Sequence, residues 1–367
     1  GLAQADLTVQ VPETMAGVDQ VSAVLPAEAA KEAAEAKLAL VLKRDDVALK
    51  IPPRSLKALI EAGPEVAQVE VSAGRVEAEK VELFDAARLV TPKAFDLEAC
   101  GLTPDGRREK PETFPEDLVI TFALEGVDLE GLDPSRLAVY RQRGEGDWEF
   151  VGGHLDPDTR SFVCPSPRLS LFALAEFTGT FRDVEGHRAR EAIELLARRL
   201  VVRGVAADRF APEETVTRAQ FAAFLVRALG MEERPAVRPV FQDLPDGHWA
   251  RGPVEAAYRA GLVLGSGGGR FEPERPITRE EVAALLARVL NQYGLASPAH
   301  TPSAAQVLGG YHDWEAVSPW AREAVAAGVK SGLLKGRSAT ELAPRGPSTR
   351  AEAAVLIADL LRFLGRI

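Results

Sequence analysis

Apolar positions along this chain keep two different rhythms, and the change falls near residue 180. Before it, short apolar runs are punctuated by turn residues. Residues 38–42, the polar stretch 43–46 and residues 47–51 predict a hairpin whose second arm alternates. Residues 117–124, 137–141, 148–151, 161–164 and 169–175 predict further short strands. Between them stand the loop at 144–147 and the turn-forming Asp156, Pro157, Asp158 and Thr159. Residues 1–11 read as a strand entered mid-course, as in a piece of a larger processed protein. The Ala/Glu/Lys run 26–37 has strong helix propensity, and residues 55–63 predict a short helix stopped at Gly63 and Pro64. The expectation is a β-rich, sandwich-like α+β region with subdomains at 1–95 and 96–178.

After residue 180 the apolar period becomes helical and the pattern repeats. Phe181, Phe241 and Tyr311 each open a unit, with Asp183, Asp243 and Asp313 two residues on. Helical segments follow at 189–200, 250–260 and 321–330, then loops containing Gly204, Gly265 or Gly336. Phe210, Phe271 and Leu342 come next, each followed two residues later by proline. Second helices run over 218–229, 279–290 and 350–361. The first and second units match at a constant offset of 61, the second and third at 71. The expectation is an all-α domain at 179–367 made of three repeats, about 181–235, 241–296 and 311–367.

The sharpest repeated letters are Val-Thr-Arg-Ala-Gln at 216–220, Ile-Thr-Arg-Glu-Glu at 277–281 and Ser-Thr-Arg-Ala-Glu at 348–352. Threonine followed three residues later by Gln or Glu is a capping box, which accounts for both residues without a ligand. The arginine between them is not explained by capping, because a cation in the first turn opposes the helix dipole. Arg218, Arg279 and Arg350 therefore have two readings. One is a carboxylate or phosphate receptor beside unpaired helix-start amides. The other is a structural arginine paired with a carboxylate of its own or a neighbouring unit. Trp249 and Trp320 occupy matching places, where unit one has Arg188; they are core residues or sugar platforms. Gly265, Ser266 and the glycines to 269 either allow close approach of a ligand or make a turn, and Gly336 stands at the matching place.

Length and composition narrow the classes. A chain of 367 residues with 46% apolar and 27% charged positions is ordinary globular protein of two or three domains. No stretch has the length and apolarity of a membrane-spanning helix. The net charge of −10 is uneven: residues 1–180 hold 19 basic and 32 acidic side chains, or −13, and the rest hold 25 and 22, or +3. The repeated half tolerates an anionic partner better, yet has no basic stripe of a nucleic-acid binder. Cys100 and Cys164 allow a disulfide or two buried thiols. No Cys/His cluster suggests a metal, and nothing calls for a cofactor.

Residues 181–367 resemble three tandem S-layer homology repeats. Phe/Tyr-x-Asp, His248-Trp249, residues 261–265, Phe271-x-Pro273 and residues 277–281 stand in that family's order. The resemblance implies a pseudo-threefold helical assembly whose inter-repeat grooves bind secondary cell-wall polysaccharide linked to peptidoglycan, commonly through a pyruvylated sugar. It implies that Arg218, Arg279 and Arg350 hold the ketal carboxylate, with Trp249, Trp320, Asp243 and Asp313 at family positions. It implies an extracellular location at the cell wall and self-association in a surface layer. Unit one departs at Arg188, Leu200 and Gln220, and unit three at Leu342 and Ser348, which favours the grooves of units two and three.

The function expected is non-covalent anchoring, without catalysis. Alanine at both Arg279 and Arg350 is expected to weaken pelleting with cell walls and leave the fold intact. Two rivals stand beside it: a surface-anchored hydrolase with its catalytic domain in or beyond residues 1–180, and a structural lattice module in which the arginines only brace the fold.

Overall fold

A computed structural model describes residues 6–11, 18–44, 46–84, 86–144, 146–295 and 303–367. The start of the expected first strand, Asp45 in the hairpin turn, Glu145 in the following loop and the end of the second repeat's expected span lie outside these residues. The chain divides into two units, Gly1–Gly179 and Thr180–Ile367.

The first unit is two β-sheets closed over one apolar core. Its strands are β1 (Leu7–Gln10), β2 (Gln20–Pro26), β3 (Leu40–Lys43), β4 (Val47–Ile51), β5 (Gln68–Glu77), β6 (Ala87–Leu89) and β7 (Lys93–Leu102). They continue with β8 (Arg108–Glu109), β9 (Leu118–Ala123), β10 (Leu137–Gly144), β11 (Asp147–Gly152), β12 (His154–Asp156), β13 (Ser161–Ser166) and β14 (Leu171–Phe177). One sheet runs β1-β3-β4-β9-β13-β12 and the other β11-β10-β14-β7-β5-β2, with β6 on β14 and β8 on β7. Alternation explains which face is buried: Val47, Leu49 and Ile51 of β4 and Leu118, Ile120 and Phe122 of β9 all enter the core. Phe122 meets Phe95 of the facing sheet edge-on at 5.6 Å between ring centres. Helices α1 (Ala27–Glu35) and α2 (Pro53–Ile60) add Ala30, Ala33, Leu56 and Leu59 to that core.

The expected division at 95/96 is corrected. β7 crosses it and pairs with β5 on one side and β14 on the other, while β4 pairs with β9. Strands from both sides share each sheet, so residues 1–95 have no core of their own. Both cysteines are free: Cys164 lies in the shared core on β13, and Cys100, on β7 of the other sheet, faces Glu70.

The second unit is helical. First helices are α3 (Arg190–Arg198), α5 (Arg251–Arg259) and α8 (Arg322–Lys330). Second helices are α4 (Arg218–Ala228), α6 (Arg279–Gln292) and α9 (Arg350–Phe363), and α7 (Ala304–Leu308) precedes the third repeat. Three backbone hydrogen bonds close on themselves where the second helices begin. Val216 N–H donates to Ser348 C=O at 3.0 Å, Ser348 N–H to Ile277 C=O at 2.9 Å, and Ile277 N–H to Val216 C=O at 3.1 Å. Each repeat gives once and receives once, which is a pseudo-threefold ring.

Candidate functional site

Each second helix starts on the capping box its sequence specifies. Thr217, Thr278 and Thr349 accept from the amides of Gln220, Glu281 and Glu352, whose side chains accept from the threonine amides in return. The next two amides go to the neighbouring repeat. Arg218 N–H donates to Arg275 C=O and Ala219 N–H to Pro273 C=O. Arg279 and Glu280 donate likewise to Gly346 and Pro344, and Arg350 and Ala351 to Glu214 and Pro212. The expectation of unpaired helix-start amides is therefore corrected: these donors are used to join the repeats.

The arginine side chains point the same way. Arg218 Nε donates to Phe271 C=O at 2.9 Å and Nη2 to Leu264 C=O at 3.2 Å. Arg279 makes the matching bonds to Leu342 C=O and Lys335 C=O, and Arg350 to Phe210 C=O and Arg203 C=O. Their exposures are 8%, 5% and 4%. The guanidinium groups of Arg218 and Arg350 lie 4.8 and 4.5 Å from the ring centres of Phe271 and Phe210. Burial pulls all three pKa values below the ordinary arginine value. So the arginines bind repeat to repeat through backbone carbonyls, and Arg218 and Arg279 also through carboxylates of the next repeat, Glu281 at 2.7 Å and Glu352 at 3.5 Å. Alanine at Arg279 and Arg350 removes these inter-repeat bonds.

The aspartates have their own task. Asp243 accepts from the amides of Phe271 at 2.8 Å and Glu272 at 2.7 Å, and Asp313 from those of Leu342 at 2.9 Å and Ala343 at 2.7 Å. Asp183 does the same for Phe210 and Ala211. The second residue of each pair has a left-handed backbone, with φ of 61° at Ala211, 60° at Glu272 and 50° at Ala343. The carboxylate thus holds a turn that a side-chain-bearing residue resists. Gly265 and Gly336 have a packing reason: a Cβ at Gly265 would stand 2.9 Å from Phe241, and one at Gly336 2.7 Å from Tyr311.

A cleft of about 450 Å³ remains where the repeats meet. Arg218 of the first repeat, Gly265, Ser266, Arg275 and Arg288 of the second, and Trp320 of the third line it. Glu281 is the acid in its wall, 2.7 Å from Arg218 and also paired with Arg275. Arg288 Nη1 donates to Leu262 C=O at 2.9 Å and forms no ion pair among the described residues. Burial alone lowers its pKa. Trp320 is 60% exposed and Trp249 52%, so neither is a core residue. A single mouth thus joins predicted residues of different units, Arg218 with Trp320, while Arg279 and Arg350 sit in the two equivalent sockets.

Sequence reasoning missed Arg275 and Arg288. At the places matching Arg275 stand Glu214 and Gly346, and at those matching Arg288 stand Arg227 and Asp359. A search for what recurs in all three units discards such positions.

Residues 180–222, 240–283 and 310–354 match the S-layer homology domain. The C-terminal unit carries three S-layer homology domains. Such domains are anchoring modules, and they locate the chain at the cell surface. The chain is 35% identical over 239 residues to an amylopullulanase of Thermoanaerobacterium thermosulfurigenes, covering 64% of this chain and 12% of that protein. It is 35% identical over 184 residues to exoglucanase XynX of Acetivibrio thermocellus, covering 50% and 16%. It is 29% identical over 179 residues to a surface-layer 125 kDa protein of Lysinibacillus sphaericus, covering 48% and 14%. The chain therefore spans less than a fifth of these relatives' lengths. The 64% coverage exceeds the C-terminal unit, so the first likeness continues into the β unit.

Proposed function

We propose that the S-layer homology domains hold this protein non-covalently to an acidic secondary cell-wall polysaccharide linked to peptidoglycan, with a pyruvate-ketal carboxylate as the group recognised. The observation that carries this is the Arg218–Trp320 cleft. It is sugar-sized, three guanidinium groups and one carboxylate stand in its wall, and an exposed indole stands at its edge. Guanidinium donors match carboxylate geometry, and an indole face accepts the apolar side of a sugar ring. The β unit serves as a spacer.

The test is co-sedimentation of the full chain with purified wall polymer before and after removal of ketals. Binding that survives ketal removal unchanged would refute the carboxylate reading. The chain centrifuged alone reports self-association in a surface layer. A second reading, part of a surface hydrolase, is favoured by the glycosidase names of two relatives and by likeness continuing into the β unit. Release of reducing sugar from wall glycan by this chain would support it.

A further inference from the structure

The Arg218–Trp320 cleft contains a cation that neither helix capping nor the joining of repeats accounts for. Arg288 follows Glu281 by seven residues on α6, so the two share a face and stand about 10 Å apart along the helix. At the Glu281 end the charges are satisfied within the chain. Arg218 meets Glu281 at 2.7 Å, and Arg275 meets both Glu281 and Glu272. The Arg288 end is different. Its Nη1 donates to Leu262 C=O at 2.9 Å, while Nε and Nη2 make no hydrogen bond or ion pair among the described residues. Burial alone acts on its pKa, and no carboxylate offsets it.

In the other repeats the same position is neutralised internally. Arg227 pairs with Glu233 at 2.9 Å, and Asp359 pairs with Arg362 at 3.0 Å and Lys335 at 3.5 Å. Between the two ends of the cleft the wall is apolar. Ala284 and Leu285 lie on α6 between Glu281 and Arg288, and Leu264 and Trp320 complete that stretch of the lining. Leu264 is exposed, whereas Arg203 and Lys335 stand at its matching places. This cleft alone therefore runs from paired charges, along an apolar wall, to a guanidinium with no acid of its own. A half-buried cation of that kind is stabilised by any anion that reaches it, and its two unused donors suit an oxyanion.

We infer that Arg288 seats a second acidic group of the glycan, a carboxylate or a phosphate on the sugar next to the ketal-bearing one. The sugar rings cover the apolar stretch, and the cleft selects a segment with two anions. This rests on the anchoring proposal above.

The test titrates the full chain with a methyl hexoside bearing a pyruvate ketal, extended by a neutral hexose, by a hexuronic acid or by a hexose phosphate. The neutral extension measures what a second ring adds without charge. The wild type is expected to bind one acidic extension about tenfold or more tighter than the neutral one. Whichever extension is preferred identifies carboxylate or phosphate. In Arg288→Gln that preference should vanish, and in Arg288→Lys, which restores the charge, it should return in part. Melting curves run alongside. Equal affinity of the wild type for neutral and acidic extensions overturns the inference and leaves anchoring standing. A preference undiminished in Arg288→Gln does the same, because the second acid is then held elsewhere. If Arg288→Gln does not fold, salt decides on the wild type: the acidic extension should lose more affinity than the neutral one as salt rises, and an equal loss overturns the inference. A wild-type chain that does not pellet with wall polymer overturns both readings.

Discussion

The axis of the C-terminal unit and the mouths of its clefts are built from the same helices under different rules. At the axis the three repeats make the same bonds: the closed ring through Val216, Ile277 and Ser348, two helix-start amides each, and two arginine nitrogens each. At the mouths they diverge, with Glu, Glu or Gln beside the arginine, and Arg, Arg or Asp where Arg288 stands. Three copies must close on each other, so any change at the axis breaks two partners at once. A mouth faces solvent and a ligand, and a change there alters only what is held. What recurs inside one chain therefore marks assembly, and what varies between otherwise equal copies marks recognition.

The sharpest way to break that comparison is at the axis. Arg279→Ala strands the buried carbonyl of Leu342, removes the part-buried bond to the carbonyl of Lys335, and takes away the guanidinium between repeats two and three. The expected cost is roughly 3 kcal/mol of stability. Chemical denaturation checks it; a loss below about 1 kcal/mol would show that the arginines are not structural ties.

The mouth should behave in the opposite way. Arg288→Gln and Trp320→Ala lie at the cleft wall and rim, so melting should barely move while polymer binding weakens about tenfold. Sedimentation isotherms beside thermal melts separate the two effects. A variant that loses stability and keeps binding would reverse the division of labour. A smaller effect is expected at Leu200, where φ is 58° at a position filled by Gly261 and Gly332 in the other repeats. A left-handed leucine is strained where glycine is not, so Leu200→Gly should stabilise the first repeat by about 1 kcal/mol. Differential scanning calorimetry reads this, and a lower melting temperature would show that leucine packing outweighs backbone relief.

These effects also show what was legible beforehand. The capping boxes were, because Thr and Glu three residues apart specify a local hydrogen-bond pair needing no distant partner. The hairpin of β3 and β4 and the strands β9, β10, β11, β13 and β14 were, from apolar runs between turn residues. The strands β2, β5 and β7 went unread: β5 and β7 mix Glu, Gly and Ser with apolar residues, and their pairing is set by partners far along the chain. The arginine sockets were half legible. The motif marked the residue, but its partners are carbonyls, which every residue carries and no sequence pattern marks. The cleft was not legible, because it takes one wall from each of three repeats.

Acid titration probes the comparison most gently, because it acts on turns and ion pairs without deleting an atom. Asp243 and Asp313 are pushed up by burial, but the amides of Phe271, Glu272, Leu342 and Ala343 outweigh this and hold both carboxyls below the ordinary value of 3.8. Glu281 is likewise raised by burial and lowered further by Arg275, Thr278 and Arg218, to below its ordinary 4.5. Carboxyls that are more acidic folded than unfolded stabilise the fold fully above their unfolded values. That contribution fades as pH falls through 4.5 and 3.8 toward the lower folded values. Melting of the C-terminal unit should therefore be level from neutral pH to about 5.5 and decline below about 4.5. Glu281→Gln should remove part of that decline, since the amide keeps the capping acceptor and cannot titrate. Equal pH profiles for wild type and Glu281→Gln would mean that ionised Glu281 contributes nothing to joining the repeats.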